Sequence, residues 1–126
     1  MRQLTDRNGP DYAPSLSPDG SRLAYLGYED RLMGYHNSQV SILDLNNGKV
    51  TQLTEGLDRS IDLVEWAGSS SQLLISFDDF GKRKLASVDM EGNLRPLVSD
   101  VGSAGISRPY TSGNFTVSEN GDYAYT

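Results

Sequence analysis

An all-β chain of repeated four-stranded units is the fold this sequence predicts, and three observations carry it. Short hydrophobic stretches alternate with polar residues at a period of two, as strands do, rather than at the 3.6 of helices. Glycine-bearing turns punctuate them: Ser17-Pro18-Asp19-Gly20, Asn46-Asn47-Gly48, Glu91-Gly92-Asn93 and Ser118-Glu119-Asn120-Gly121. The whole pattern then recurs at spacings near 45 to 49 residues, inside the range of roughly 40 to 50 that marks propeller blades. The expectation is a partial β-propeller, with roughly two complete four-stranded antiparallel blades plus parts of flanking blades.

Each element follows from its residues. Arg2-Gln3-Leu4-Thr5 matches Thr51-Gln52-Leu53-Thr54 and, more loosely, Arg95-Pro96-Leu97-Val98. Residues 1–11 are therefore read as the last strand of a preceding blade and a loop. Residues 12–60 form a blade, with strands near Ala13 to Ser17, Arg22 to Gly27, Gln39 to Leu45 and Lys49 to Thr54. In its first turn Pro18 presets φ at one corner, Asp19 tolerates the next and Gly20 takes the left-handed exit. Residues 61–109 form a second blade, with strands near Asp62 to Trp66, Gln72 to Phe77, Lys84 to Asp89 and Leu94 to Val98. Residues 110–126 begin another, whose Gly121 turn lies 101 positions after that of Gly20. A β-sandwich of similar hairpins is the competing architecture, disfavoured by the matched turns. Blades rely on stacked neighbours, so the chain reads as a fragment of a larger ring whose open strand edges favour self-association.

Composition narrows the function. Eleven Lys and Arg scattered among 17 Asp and Glu give a formal net charge of −6, against a nucleic-acid surface. No cysteine is present, which removes disulfide scaffolds and thiol catalysis and leaves the compartment, cytoplasmic or periplasmic, undetermined. The first residues contain no apolar run, so no signal peptide and no membrane partner are expected.

The Ser17-Pro18-Asp19-Gly20 hairpin resembles those shared by TolB-like propellers and the N-terminal propellers of the prolyl oligopeptidase family of serine peptidases. Leu26 to Tyr35, Leu57-Asp58-Arg59-Ser60, Arg108-Pro109-Tyr110 and Phe115 to Ser118 look like the acylaminoacyl-peptidase and dipeptidyl-aminopeptidase relatives within it. The resemblance implies a propeller that sits over an α/β-hydrolase domain, restricts access to folded proteins and helps orient a peptide substrate. The chain departs from the family in its chemistry: no G-x-S-x-G elbow occurs, and no catalytic residue, cofactor or metal is placed on it. His36, the single histidine, is expected to be an exposed loop residue without a nucleophile to serve.

Blade topology puts the tight turns on one face and the longer connections on the other: Tyr28 to Asn37, Glu55 to Ser60, Asp78 to Arg83 and Ser99 to Gly113. Among these, Tyr28, Asp30, Arg31, Tyr35, His36, Asp58, Arg59, Arg108 and Tyr110 are the candidate hydrolase- or substrate-facing residues. Taken singly, each charged loop residue is more ordinarily a solvated or turn-capping group. Asp78-Asp79 reads as a solvated turn, since neighbours on an extended chain point apart. Asp44 to Gly48 reads as a hairpin turn rather than a calcium loop. Trp66 is expected between two blades, and the glycosylation sequon Asn114-Phe115-Thr116 falls in a strand. The favoured function is the non-catalytic propeller segment of a serine peptidase; the alternative is a TolB-like periplasmic protein-binding module. A propeller glycosidase or lyase is disfavoured, because no convergent carboxylates are evident.

Overall fold

The computed structural model describes residues 2–102 and 113–126, and among these the secondary structure is strand and turn without helix. The first blade holds β1 (Asp11–Leu16), β2 (Arg22–Gly27), β3 (Gln39–Asp44) and β4 (Val50–Gln52). The second holds β5 (Ile61–Trp66), β6 (Gln72–Asp79), β7 (Lys82–Asp89) and β8 (Leu94–Val98). Each is a four-stranded antiparallel sheet in sequence order, and β9 (Phe115–Val117) with β10 (Tyr123–Tyr125) makes a two-stranded third. The fold is a partial β-propeller, as the repeat spacing predicts.

The turns form for the reasons their residues give. The Gly20 amide donates to the Ser17 carbonyl at 2.8 Å and Gly20 adopts φ +71°. Asp19 accepts from the Ser17 hydroxyl at 2.7 Å and the Ser21 amide at 3.0 Å, closing the corner from within. One Asp repeats this service at each β3–β4-type turn: Asp44 caps Asn46 at 2.8 Å, and Asp89 caps Glu91 and Asn93 at 3.0 and 2.8 Å. The innermost strands both carry a bulge near their start, between Tyr12 and Ser15 and between Ile61 and Leu63.

Strand alternation sends side chains into two cores. Leu73, Ile75 and Phe77 of β6 join Ala86 and Val88 against Leu26, Val40 and Ile42 of the first blade, with Trp66 beside them. The Trp66 indole N–H donates to the Ser15 carbonyl at 3.0 Å, so Trp66 sits between the blades as expected. Leu74 and Leu85 face the other way, onto Val101 and Phe115. The second blade is thus covered on both faces, which is why its central strands read as apolar runs.

Three expectations are corrected. Residues 2–10 carry no strand: they lie along the first blade, Arg7 over the Tyr25 ring and Asn8 accepting from the Asp30 amide at 2.7 Å. Asp78 to Arg83 is not a long loop: β6 and β7 run to a two-residue turn, Phe80-Gly81, both at positive φ. Asp78 and Asp79 are consequently strand residues held in ion pairs. The sequon asparagine, Asn114, lies just ahead of β9, which starts at Phe115.

Candidate functional site

On the face opposite the Gly20, Gly48, Gly92 and Gly121 turns, the described residues include three connections: residues 28–38, residues 53–60 and the Phe80-Gly81 turn. A polar ladder fixes the second against the base of the first. Thr54 Oγ1 accepts from the Val40 amide at 2.9 Å and donates to Gln39 Oε1 at 2.6 Å, while Gln39 Nε2 donates to the Leu57 carbonyl at 3.3 Å. Ser60 Oγ accepts from the Ser38 amide at 3.1 Å. Thr54 and Gln39 are buried, and each meets the other's need for a partner.

Two neighbouring clefts open on this face, with Tyr35 and Asn37 as their common wall. One, of about 690 Å³, is bordered by Tyr28, Arg31, Tyr35 and His36, with Arg7 and Glu55 opposite. The other, of about 560 Å³, is bordered by Tyr35, Asp58, Arg59, Asp62 and Asp78. The structure therefore divides Tyr28, Arg31, Tyr35, His36, Asp58 and Arg59 between two adjoining depressions, while Asp30 lines neither. Arg108 and Tyr110 lie outside the described residues.

The side chains differ in what holds them. Tyr28 stacks on His36 with ring centroids 4.7 Å apart, and His36 keeps only 11% of its side chain exposed. His36 is thus not the exposed residue expected: the tyrosine ring covers it. Asp30 accepts from the Leu32 amide at 2.8 Å, and Arg31 reaches Glu29 at 3.2 Å while remaining largely in solvent. Asp58 is exposed and accepts from Asn37 at 3.1 Å.

Arg59 is the most tightly engaged of the candidates. Its Nε donates to Asp79 at 2.8 Å, and its guanidinium lies 5.4 Å from the centre of the Phe80 ring. Asp79 also pairs with Lys84. Lys84 first, and Arg59 second, hold the Asp79 carboxyl below the usual carboxylate range. On the other side of the hairpin, Arg83 donates to Asp78 at 3.1 Å, to Asp62 at 2.8 Å and to the Gly113 carbonyl at 3.1 Å. Burial pushes the Asp62 carboxyl up against the opposing pull of Arg83.

Sequence reasoning missed Phe80, Asp62, Arg83 and Lys84 as participants and read Asp79 as part of a solvated turn. The signal was present: acidic Asp78-Asp79 and basic Lys82-Arg83-Lys84 mirror one another about Phe80-Gly81, the charge pattern of facing strands in a tight hairpin. Among the described residues, no group of three or more His, Asp or Glu is placed to hold a metal ion.

The apolar tips complete the face. Leu32 and Phe80 are each 91% exposed and sit at φ +56° and +49°, with Met33 and Tyr35 also exposed.

Comparison with solved structures decides the architecture: 78% of the chain superposes on a putative TolB from Agrobacterium tumefaciens with a TM-score of 0.64 and 20% identity. The fold is TolB-like. TolB from Acinetobacter baumannii gives a TM-score of 0.59 at 22% identity over 79% of the chain; the matches cover 33% and 24% of those proteins. In sequence, the chain is 29% identical over 111 residues to dipeptidyl-peptidase 5 of Trichophyton schoenleinii and of Arthroderma benhamiae. It is 28% identical over 81 residues to dipeptidyl-peptidase 5 of Aspergillus fumigatus. These alignments take in 75% and 64% of the chain, which spans only 15% and 11% of the length of those relatives. No family model matches the chain. The chain thus has a TolB-like propeller fold and is weakly similar in sequence to dipeptidyl-peptidase 5.

Proposed function

We propose that the chain is the non-catalytic propeller segment of a serine peptidase of the dipeptidyl- or acylaminoacyl-peptidase type, within the prolyl oligopeptidase family. Its loop face packs on an α/β-hydrolase domain of the parent protein and helps gate peptide entry. The relation to dipeptidyl-peptidase 5 supplies the class. The observation that carries the surface is the pair Leu32 and Phe80, large apolar side chains almost wholly in solvent at left-handed backbone positions. A non-glycine residue costs about 1–2 kcal/mol there, and Asn or Gly would sit more easily. Apolar tips kept at such positions suit a face that another surface covers.

Replacing both by Asn in the full-length parent separates this role from a structural one. The expected result is a thermal midpoint that holds or rises, with lowered peptide turnover or a loosened propeller–hydrolase contact. Unchanged turnover together with unchanged domain association would refute the assignment. The TolB-like architecture favours a second reading, a propeller that binds a protein partner and has no attached hydrolase. A parent reading frame containing a G-x-S-x-G elbow on alternating strands and helices selects the first reading, and its absence selects the second.

A further inference from the structure

The loop joining β2 to β3 is closed by an imidazole acting as a hydrogen-bond acceptor. His36 Nε2 accepts the Arg31 amide at 3.0 Å, across the five-residue span that carries Leu32, Met33 and Tyr35. A neutral imidazole can accept at one nitrogen only, so this geometry places the ring proton on Nδ1. The Tyr28 ring stacks on the imidazole that makes this tie, and the tie works with the Asp30 carboxylate, which accepts the Leu32 amide and holds Leu32 at φ +56°.

We propose that protonation of His36 releases this loop tip, making it a pH-sensitive element of the loop face. An imidazolium donates at both nitrogens and has no lone pair for the Arg31 amide. The two N–H groups would then point at one another, so the contact must open. An acceptor is already in place: Asp30 Oδ1 lies 3.9 Å from Nε2. A proton on Nε2 moves the tie from the Arg31 amide to the Asp30 carboxylate, where it competes with the Leu32 amide and loosens residues 31–35.

The remaining charges around the ring leave this exchange intact. Within the loop, Arg31 turns its guanidinium to Glu29. Arg7, from the N-terminal segment across the cleft, is paired with Asp11. From the β4–β5 connection, Glu55 borders the same cleft and Asp58 is bound through Asn37. Imidazoles are the side chains that ordinarily change charge between pH 5 and 8, which sets the range over which the release is sought. That the released tip alters docking rests on the function proposed above; the release itself does not.

The test is an NMR titration of the 126-residue chain from pH 8 to pH 5, following the His36 ring nitrogens and backbone amide protection, beside His36→Gln. At pH 8 the ring is expected as the Nδ1–H tautomer. As the ring protonates, the Arg31 amide should lose about tenfold in protection factor, while Leu26 and Val40 in the adjoining strands keep theirs. In His36→Gln, whose carbonyl accepts without titrating, the step should vanish. An Nε2–H tautomer, a step that persists in the variant, or a ring that titrates while the Arg31 amide is unmoved would each overturn the switch. If Gln fails to form the tie, the Arg31 amide shift in the wild type must still track the ring titration. None of these readouts depends on peptidase activity, so failure here and failure of the peptidase reading are distinguishable.

Discussion

Arg83 shows how single residues hold this surface together. One guanidinium, 16% exposed, bridges the hairpin partner Asp78, the innermost-strand carboxylate Asp62 and the Gly113 carbonyl ahead of β9. Its carboxylate partners are themselves partly in water, which discounts the gain. Arg83→Met is expected to cost about 1 kcal/mol in urea denaturation. A loss confined to noise would show that the bridge is ornamental.

Carboxyl groups at this scale also set the acid response. Asp19 is held low by the Ser17 hydroxyl and then the Ser21 amide, Asp79 by Lys84 and then Arg59, and Asp89 by the Asn93 side chain first. Each releases its proton more readily folded than unfolded. The stability they contribute is therefore complete above the ordinary value of 3.8 and is lost as the pH falls below it. Asp62 runs the other way: its raised value makes its contribution shrink as pH climbs from 3.8 toward the folded-state value. The thermal midpoint should hold from pH 6 to about pH 4 and then fall, and Asp19→Asn should flatten that fall. An equal fall in the variant would mean the Asp19 cap contributes nothing.

At the scale of elements, the turns offer a controlled comparison. Gly20 and Gly68 both have φ near +70°, yet a Cβ at Gly20 would meet open space, while one at Gly68 would run into the backbone of Asn120 and Gly121 in the next blade. Gly20→Ala should cost about 1 kcal/mol and Gly68→Ala about twice that or more. Equal costs would mean that the two turns can part without penalty. Trp66→Phe, which removes the donor to the Ser15 carbonyl, should cost about 1–2 kcal/mol and loosen the first blade from the second.

These elements also mark what could be read from residues alone. The eight blade strands were legible because period-two alternation and glycine turns are local properties; ends shifted by a residue or two where pairing continued, as in β6 and β7. The Phe80-Gly81 hairpin was not, because a phenylalanine stands where Asn or Asp would announce the turn. The candidate face could be named from topology. Its division into two clefts, the cover that Tyr28 gives His36 and the ladder from Thr54 through Gln39 depend on contacts between loops, which no spacing along the chain encodes.

For the whole molecule, we propose that exposed strand edges shape its behaviour in solution. Among the described residues β10 pairs with β9 alone, and Tyr123 and Tyr125 are exposed on a strand without a charged residue. Such an edge accepts another strand. The 126-residue chain is expected to show concentration-dependent self-association by sedimentation velocity, with Tyr125→Lys shifting it toward monomer. A monomer at every concentration would count against this.

The two-sided burial of the second blade has a further consequence. Stability in a stacked array is close to a sum over neighbouring contacts, so a blade with two contacts loosens last and one with a single contact peels first. Amides of Leu73 to Phe77 should outlast all others in hydrogen exchange, and those of Phe115 to Val117 should go early. The chain would then come apart from its ends inward, like a fanned deck of cards with the middle card still gripped.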